Sequence, residues 1–151
     1  MIYTEVPQGA VSGAWGDLWR LLGPAVAHDT TETETSVREA LIAGRMTVWL
    51  VSGEATGVVV TRIDDDDGPK TARLHYVAGR SALSHMKQIL ADFEAGARAI
   101  GCKRIRCAGR KGWARVTGYD ELDSDNDTRV TGSDTRVTGS DNGHVELVKV
   151  L

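Results

Sequence analysis

The chain has 151 residues, a formal net charge of −3, 41% hydrophobic and 26% charged residues. That is one ordinary globular domain by length and composition, with no apolar run near the roughly 18 residues that span a bilayer. MIYTEVPQGAVSG at the N-terminus lacks the basic and apolar regions of a secretory signal, and the two cysteines, Cys102 and Cys107, flank a short predicted strand and are expected to be reduced, as in the cytosol.

In chain order, Trp15, Leu18, Trp19 and Leu22 recur at helical spacing. Ser12 is the expected cap, and Pro24 is expected to end or kink that helix. Thr31 with Glu34 fits a capping box for a second helix, whose apolar side is Val37, Ala40 and Leu41 and whose stop is Gly44. Met46 to Ser52 and Thr56 to Ile63 are predicted strands, the second apolar enough for burial on both faces. Asp64 to Pro69 is a turn, and Arg73 to Ala78 a third strand.

The next helix is the clearest element. Leu83, Met86, Leu90, Phe93, Ala97 and Ile100 form one apolar stripe, with Ser81 as predicted N-cap and Gly101 as C-cap. Lys103 to Cys107 is a strand by alternation, Ile105 and Cys107 facing one way, Arg104 and Arg106 the other. A short helix is predicted over Gly112 to Thr117, and Tyr119 to Leu122 is expected to pair with His144 to Leu151 as a closing hairpin. Residues 123–143 interrupt that hairpin. DTRVTGS occurs there twice, from Asp127 and from Asp134, as a tandem duplication at a hairpin tip, where insertions cost little. The whole chain, residues 1–151, is expected to be a single domain that carries this insertion.

Charge is unevenly spread. Two acidic knots, Asp64 to Asp67 and Asp120 to Asp127, bracket a stretch without acids from Ala95 to Tyr119 that carries Arg98, Lys103, Arg104, Arg106, Arg110, Lys111 and Arg115. Such a run is a solvated face or a site for an anion. His28–Asp29 reads as a helix-end cap, His75 as a lining or core histidine, and His85 and His144 as surface residues. No metal-binding interval is present.

The element order is strand, two helices, three strands, long helix, strand, short helix, two strands. It resembles the GNAT acyltransferase fold. FEAGARAIGCKRIRC, from Phe93, resembles that family's passage from long helix to fifth strand, and WARVTGY, from Trp113, its segment ending in a Gly-Phe pair. The resemblance implies an α/β (α+β) fold, a twisted, mostly antiparallel sheet of about seven strands flanked by about four helices. It implies acetyl-coenzyme A between the fourth and fifth strands, its pyrophosphate on backbone N–H groups at the start of the long helix. The family pattern there is Gln or Arg, two residues, Gly, any residue, then Gly or Ala. In AGRSALSHM, Ala78 to Met86, Arg80 opens the pattern, but Leu83 and His85 replace the two small residues and are expected to crowd a pyrophosphate. Gly79, Arg80 and Ser81 then hold at most one anion, as a vestige. The family's tyrosine acid falls at Ala114, and Tyr119 matches the structural aromatic.

TVWLV, GVVVTRI, ARAIGC, GRKGWARV and the closing VKVL also resemble small GNAT-like proteins encoded among bacteriophage virion genes. That resemblance implies a non-catalytic virion or morphogenesis protein, made in the host cytoplasm and located in the virion. It would use no cofactor and no metal, and would contact other virion proteins in an oligomeric assembly. Arg104, Arg106, Arg110, Lys111 and Trp113 are the expected interface. One alternative is an acyl-coenzyme A dependent N-acetyltransferase with an atypical pyrophosphate loop, using acetyl-CoA. Another is a nucleic-acid-binding module that places Arg104, Arg106, Arg110 and Lys111 on phosphates.

Overall fold

Spacings of three and four residues put Val11, Trp15, Leu18, Leu22 and Val26 on one buried stripe, and α1 forms over Val11–Val26. A computed structural model describes residues 1–29, 31–65, 68–79, 81–110, 114, 117–122 and 144–151. The duplicated segment, 123–143, lies outside them. The cap of α1 is Ala10, not Ser12. Pro24 does not end α1 at once; the helix continues to Val26. The N–H that proline lacks would have served the carbonyl of Arg20, an exposed residue that water can reach.

Helix α2 spans Glu34–Ile42, and its capping box is Thr33 with Ser36, two residues beyond the expected Thr31 with Glu34. The reason is local. The Thr31 N–H and hydroxyl both donate to Asp29 Oδ1, at 2.8 and 2.7 Å, so Thr31 closes a turn of its own. Thr33 then takes the Ser36 N–H at 3.1 Å and its own N–H donates to Ser36 Oγ at 2.8 Å.

The strands are β1 (Ile2–Glu5), β2 (Thr47–Ser52), β3 (Gly57–Asp64), β4 (Thr71–Ala78), β5 (Arg104–Arg110), β6 (Asp120–Leu122) and β7 (His144–Val150), and α3 spans Met86–Ala99. They form one seven-stranded sheet in the order β1-β2-β3-β4-β5-β7-β6. The ladders β1–β2, β2–β3, β5–β7 and β6–β7 are antiparallel. The described residues contain three α-helices and two 3-10 turns, at Gln8–Ala10 and Leu83–His85. The short helix expected at 112–117 falls mostly outside them. No described helix is long and apolar enough to cross a membrane.

The residues divide into two compact units, with the division passing through β4 and α3. The first comprises Met1–Ile63 and Leu74–Phe93. Its core joins the α1 stripe, Val37, Ala40 and Leu41 of α2, and Val48, Val58, Val60, Tyr76 and Ala78 of the strands. Trp15 turns its indole N–H outward to Glu34 Oε2 at 2.9 Å, which lets the ring pack without an orphan donor.

The second unit comprises Asp64–Arg73 and Glu94–Leu151. Alternation along β5 buries Ile105 and Cys107, and Leu147 of β7 and Tyr119 are buried as well. β7 lies between β5 and β6, so the expected closing hairpin is present, with Asp120 opposite Val148 and Leu122 opposite Glu146. Both cysteines are buried, unbridged thiols. Burial, aided by the Glu146 charge, pushes Cys107 up to about 12, and burial also raises Cys102. Thiols held up in this way are poor nucleophiles at neutral pH.

Glu94 of α3 is the polar hub of this unit. It accepts the Tyr119 hydroxyl at 2.6 Å and the Lys149 ammonium at 2.9 Å, with Arg98 at 4.0 Å. Burial works to raise its carboxyl, but these partners outweigh burial and hold it below the usual 4.5. A carboxyl lowered by folding stabilises the fold above its unfolded value and loses that contribution as pH falls through its folded value. The thermal midpoint is therefore expected to drop on acidification below about pH 4.5, and to drop less steeply in Glu94→Gln. Parallel pH profiles for the two proteins would contradict this.

Candidate functional site

The site is built where β4 leaves the sheet and turns toward α3. Gly79 has φ +118°, a conformation side chains rarely adopt, and a Cβ there would stand 2.6 Å from Gly57 Cα and 2.7 Å from the Thr56 carbonyl oxygen. Gly57 is equally constrained, since its Cβ would lie 2.2 Å from the Ala78 carbonyl oxygen and 2.8 Å from Ala82 Cβ. Two glycines thus let the backbone of the turn rest on the start of β3. Of the expected anion-binding trio, Gly79 serves this contact, and Arg80 lies outside the described residues.

Ser81 is not the N-cap of the long helix. A 3-10 turn, Leu83–His85, intervenes and α3 begins at Met86. The Ser81 hydroxyl instead accepts the Thr56 N–H at 2.8 Å. The Ser81 carbonyl accepts from Ser84 Oγ at 2.8 Å and faces His85 Nδ1 at 3.0 Å. A carbonyl only accepts, so Nδ1 carries the proton there. The half-buried His85 ring is thereby drawn back onto its own turn. The first turn of α3 has no acidic residue, and Lys87 is exposed on it. A helix start of this kind presents free backbone N–H groups and a partial positive charge.

A second polar cluster in the same unit joins the segment between α1 and α2 to β4. Tyr76 is buried and donates its hydroxyl to Asp29 Oδ2 at 2.6 Å. Burial would raise the Asp29 carboxyl, but the bonds from Tyr76 and Thr31, with His75 nearby, hold it below its ordinary value. Burial first, and then the Asp29 bond, pushes the Tyr76 phenol up. The His75 and Tyr76 ring centroids are 5.9 Å apart. The Asp29–Tyr76 bond is invisible to local pattern, because its partners are 47 residues apart. A buried tyrosine needs a partner, and that need was the only available signal.

In the second unit the basic strand is largely committed to its own sheet. Arg106 donates to Glu146 from Nε at 3.2 Å and lies 3.1 Å from it through Nη2. Arg73 meets the same carboxylate at 3.4 Å and Asp64 at 3.6 Å. Arg104 Nε donates to Thr71 Oγ1 at 3.0 Å. Lys111, Trp113 and the Arg110 side chain lie outside the described residues. Tyr119, at the place of the family's structural aromatic, is buried, and burial followed by the Glu94 bond raises its phenol, so it makes a poor proton donor. Among the described residues, no three His, Cys, Asp or Glu side chains are grouped to hold a metal ion.

Solved structures with the same architecture include acetyltransferases. The chain is similar to an aminoglycoside 6'-acetyltransferase of type Ii, with a TM-score of 0.60 and 15% identity over 99% of this chain and 97% of that one. It is similar to a GNAT-family acetyltransferase from Listeria monocytogenes 4b F2365, with a TM-score of 0.55 and 12% identity over 99% and 94%. A Bacillus subtilis acetyltransferase in complex with CoA gives 0.56 and 18% over 90% and 92%. No family model and no curated protein sequence matches the chain. The GNAT-like fold expected from the element order is therefore present. These likenesses correct the expectation of a non-catalytic phage structural protein, because solved structures similar to nearly the whole chain are acetyltransferases. Of the two residues expected to crowd a pyrophosphate, His85 turns Nδ1 to the Ser81 carbonyl, and the Leu83 side chain lies outside the described residues.

Proposed function

We propose that this chain is an acyl-coenzyme A dependent N-acetyltransferase, transferring its acyl group to an amine. The observation that supports it is end-to-end likeness to acetyltransferase structures, one of them in complex with CoA. The turn at Gly79 to His85 suits the cosubstrate in charge. It leads into a helix start without carboxylates and with Lys87 exposed, and such a start favours phosphate. In this reading the backbone N–H groups before and at the start of α3 hold the pyrophosphate. The cosubstrate supplies an activated thioester, which the amine attacks. Attack by the amine nitrogen would form the amide as the C–S bond breaks, and the proton that the amine loses would balance the one gained by the CoA thiolate; the Tyr119 hydroxyl, committed to Glu94, is not poised to donate it.

Titration calorimetry with acetyl-CoA tests binding, and release of free CoA thiol in the presence of a panel of amines tests transfer. Saturable binding in the micromolar range and amine-dependent thiol release are expected. Absence of binding at millimolar acetyl-CoA would overturn the reading.

A further inference from the structure

Ser81 stands at the approach to α3, yet its hydroxyl is turned to the start of β3. Oγ accepts the Thr56 N–H at 2.8 Å and returns its own proton toward the Thr56 carbonyl at 3.4 Å. The Ser81 carbonyl is held in turn by Ser84 Oγ at 2.8 Å and by His85 Nδ1 at 3.0 Å. One run of hydrogen bonds therefore connects Thr56, just before β3, with His85, just before α3. The glycine contact of Gly79 on Gly57 lets the two backbones approach. Approach alone leaves rotation of the turn open, whereas directional hydrogen bonds fix it.

We propose that Ser81 is a positioning residue for the pyrophosphate of acyl-CoA, orienting the backbone at the start of α3 through its grip on Thr56 and not touching the phosphates itself. This rests on the acyl-CoA reading given above. Thr56 is exposed, so water can take over its N–H and carbonyl when the hydroxyl is removed. The loss then falls on the orientation of the turn more than on stability, and misorientation of a binding group is costly to ligand affinity.

The test compares wild type, Ser81→Ala and Ser81→Thr. Calorimetry reads acetyl-CoA and acetyl-pantetheine, which lacks the pyrophosphate, and circular dichroism reads the thermal midpoint. Ser81→Ala is expected to weaken acetyl-CoA about tenfold, the scale of one well-placed hydrogen bond. It should leave acetyl-pantetheine and the midpoint as in wild type, and raise KM for acetyl-CoA with kcat intact. Ser81→Thr, which keeps the hydroxyl, should restore affinity. Three results would overturn the proposal: unchanged acetyl-CoA affinity in Ser81→Ala, equal weakening of both ligands, or a loss that tracks a fallen midpoint and is not restored by threonine. Failure of wild type to bind acetyl-CoA sinks the acyl-CoA reading itself and this proposal with it, so the two failures are told apart by the wild-type titration.

Discussion

Gly79→Ala will lower stability by about 3 kcal/mol, the sum of a residue forced to positive φ and an overpacked contact. The added methyl would meet Gly57 Cα at 2.6 Å and the Thr56 carbonyl oxygen at 2.7 Å, both backbone atoms that cannot swing aside as a flexible side chain does. With a φ of +118°, relief by small local rotation is also closed off. Urea unfolding at neutral pH reads the effect as a lower midpoint. Gly96→Ala is the control. Gly96 lies exposed in α3 with nothing within 4 Å of its would-be Cβ, so alanine there should stabilise by about 0.5–1 kcal/mol. A Gly79→Ala midpoint equal to wild type would mean that the turn does not rest on β3.

Asp29→Ala will also cost about 3 kcal/mol, because it strands a buried hydroxyl that had a charged acceptor and undoes the turn at Thr31. Tyr76 loses its 2.6 Å bond, and the Thr31 N–H and hydroxyl lose their common acceptor. In a Tyr76→Phe background the same change should cost less, since no hydroxyl is left stranded. The pH dependence has a defined sign. The Asp29 carboxyl is lowered by folding, so its contribution is complete above the ordinary aspartate value and fades as pH falls through the folded value. The gap between wild type and Asp29→Ala should therefore narrow in acid. A gap that stays constant down to the acid transition would remove the carboxylate from the account.

What the sequence disclosed, it disclosed through periodicity. The stripe from Val11 to Val26, the alternation of Ile105 and Cys107 with Arg104 and Arg106, and the pairing of β6 with β7 all follow from spacing. Caps were misplaced wherever a nearby side chain competed. Asp29 captured Thr31 and shifted the box to Thr33 and Ser36. Thr56 captured Ser81, 25 residues away, so a serine that looks like a helix cap ties two strands' ends together. Arg106 of β5 reads from sequence as part of a surface for anions because its carboxylate, Glu146, lies 40 residues away. Local pattern carries the elements, while the partners of polar groups are set by which strands become neighbours. The site depends on those partners, and so was legible only in outline.

The placement of β7 between β5 and β6 has a consequence for biogenesis. On the ribosome, β5 and β6 emerge before the strand that unites them, and β6 has only three residues. Until β7 arrives, one edge of β5 lacks its ladder, a state open to chaperone capture and to mispairing. Closure of the second unit therefore waits for the last strand to emerge, however early the helices form.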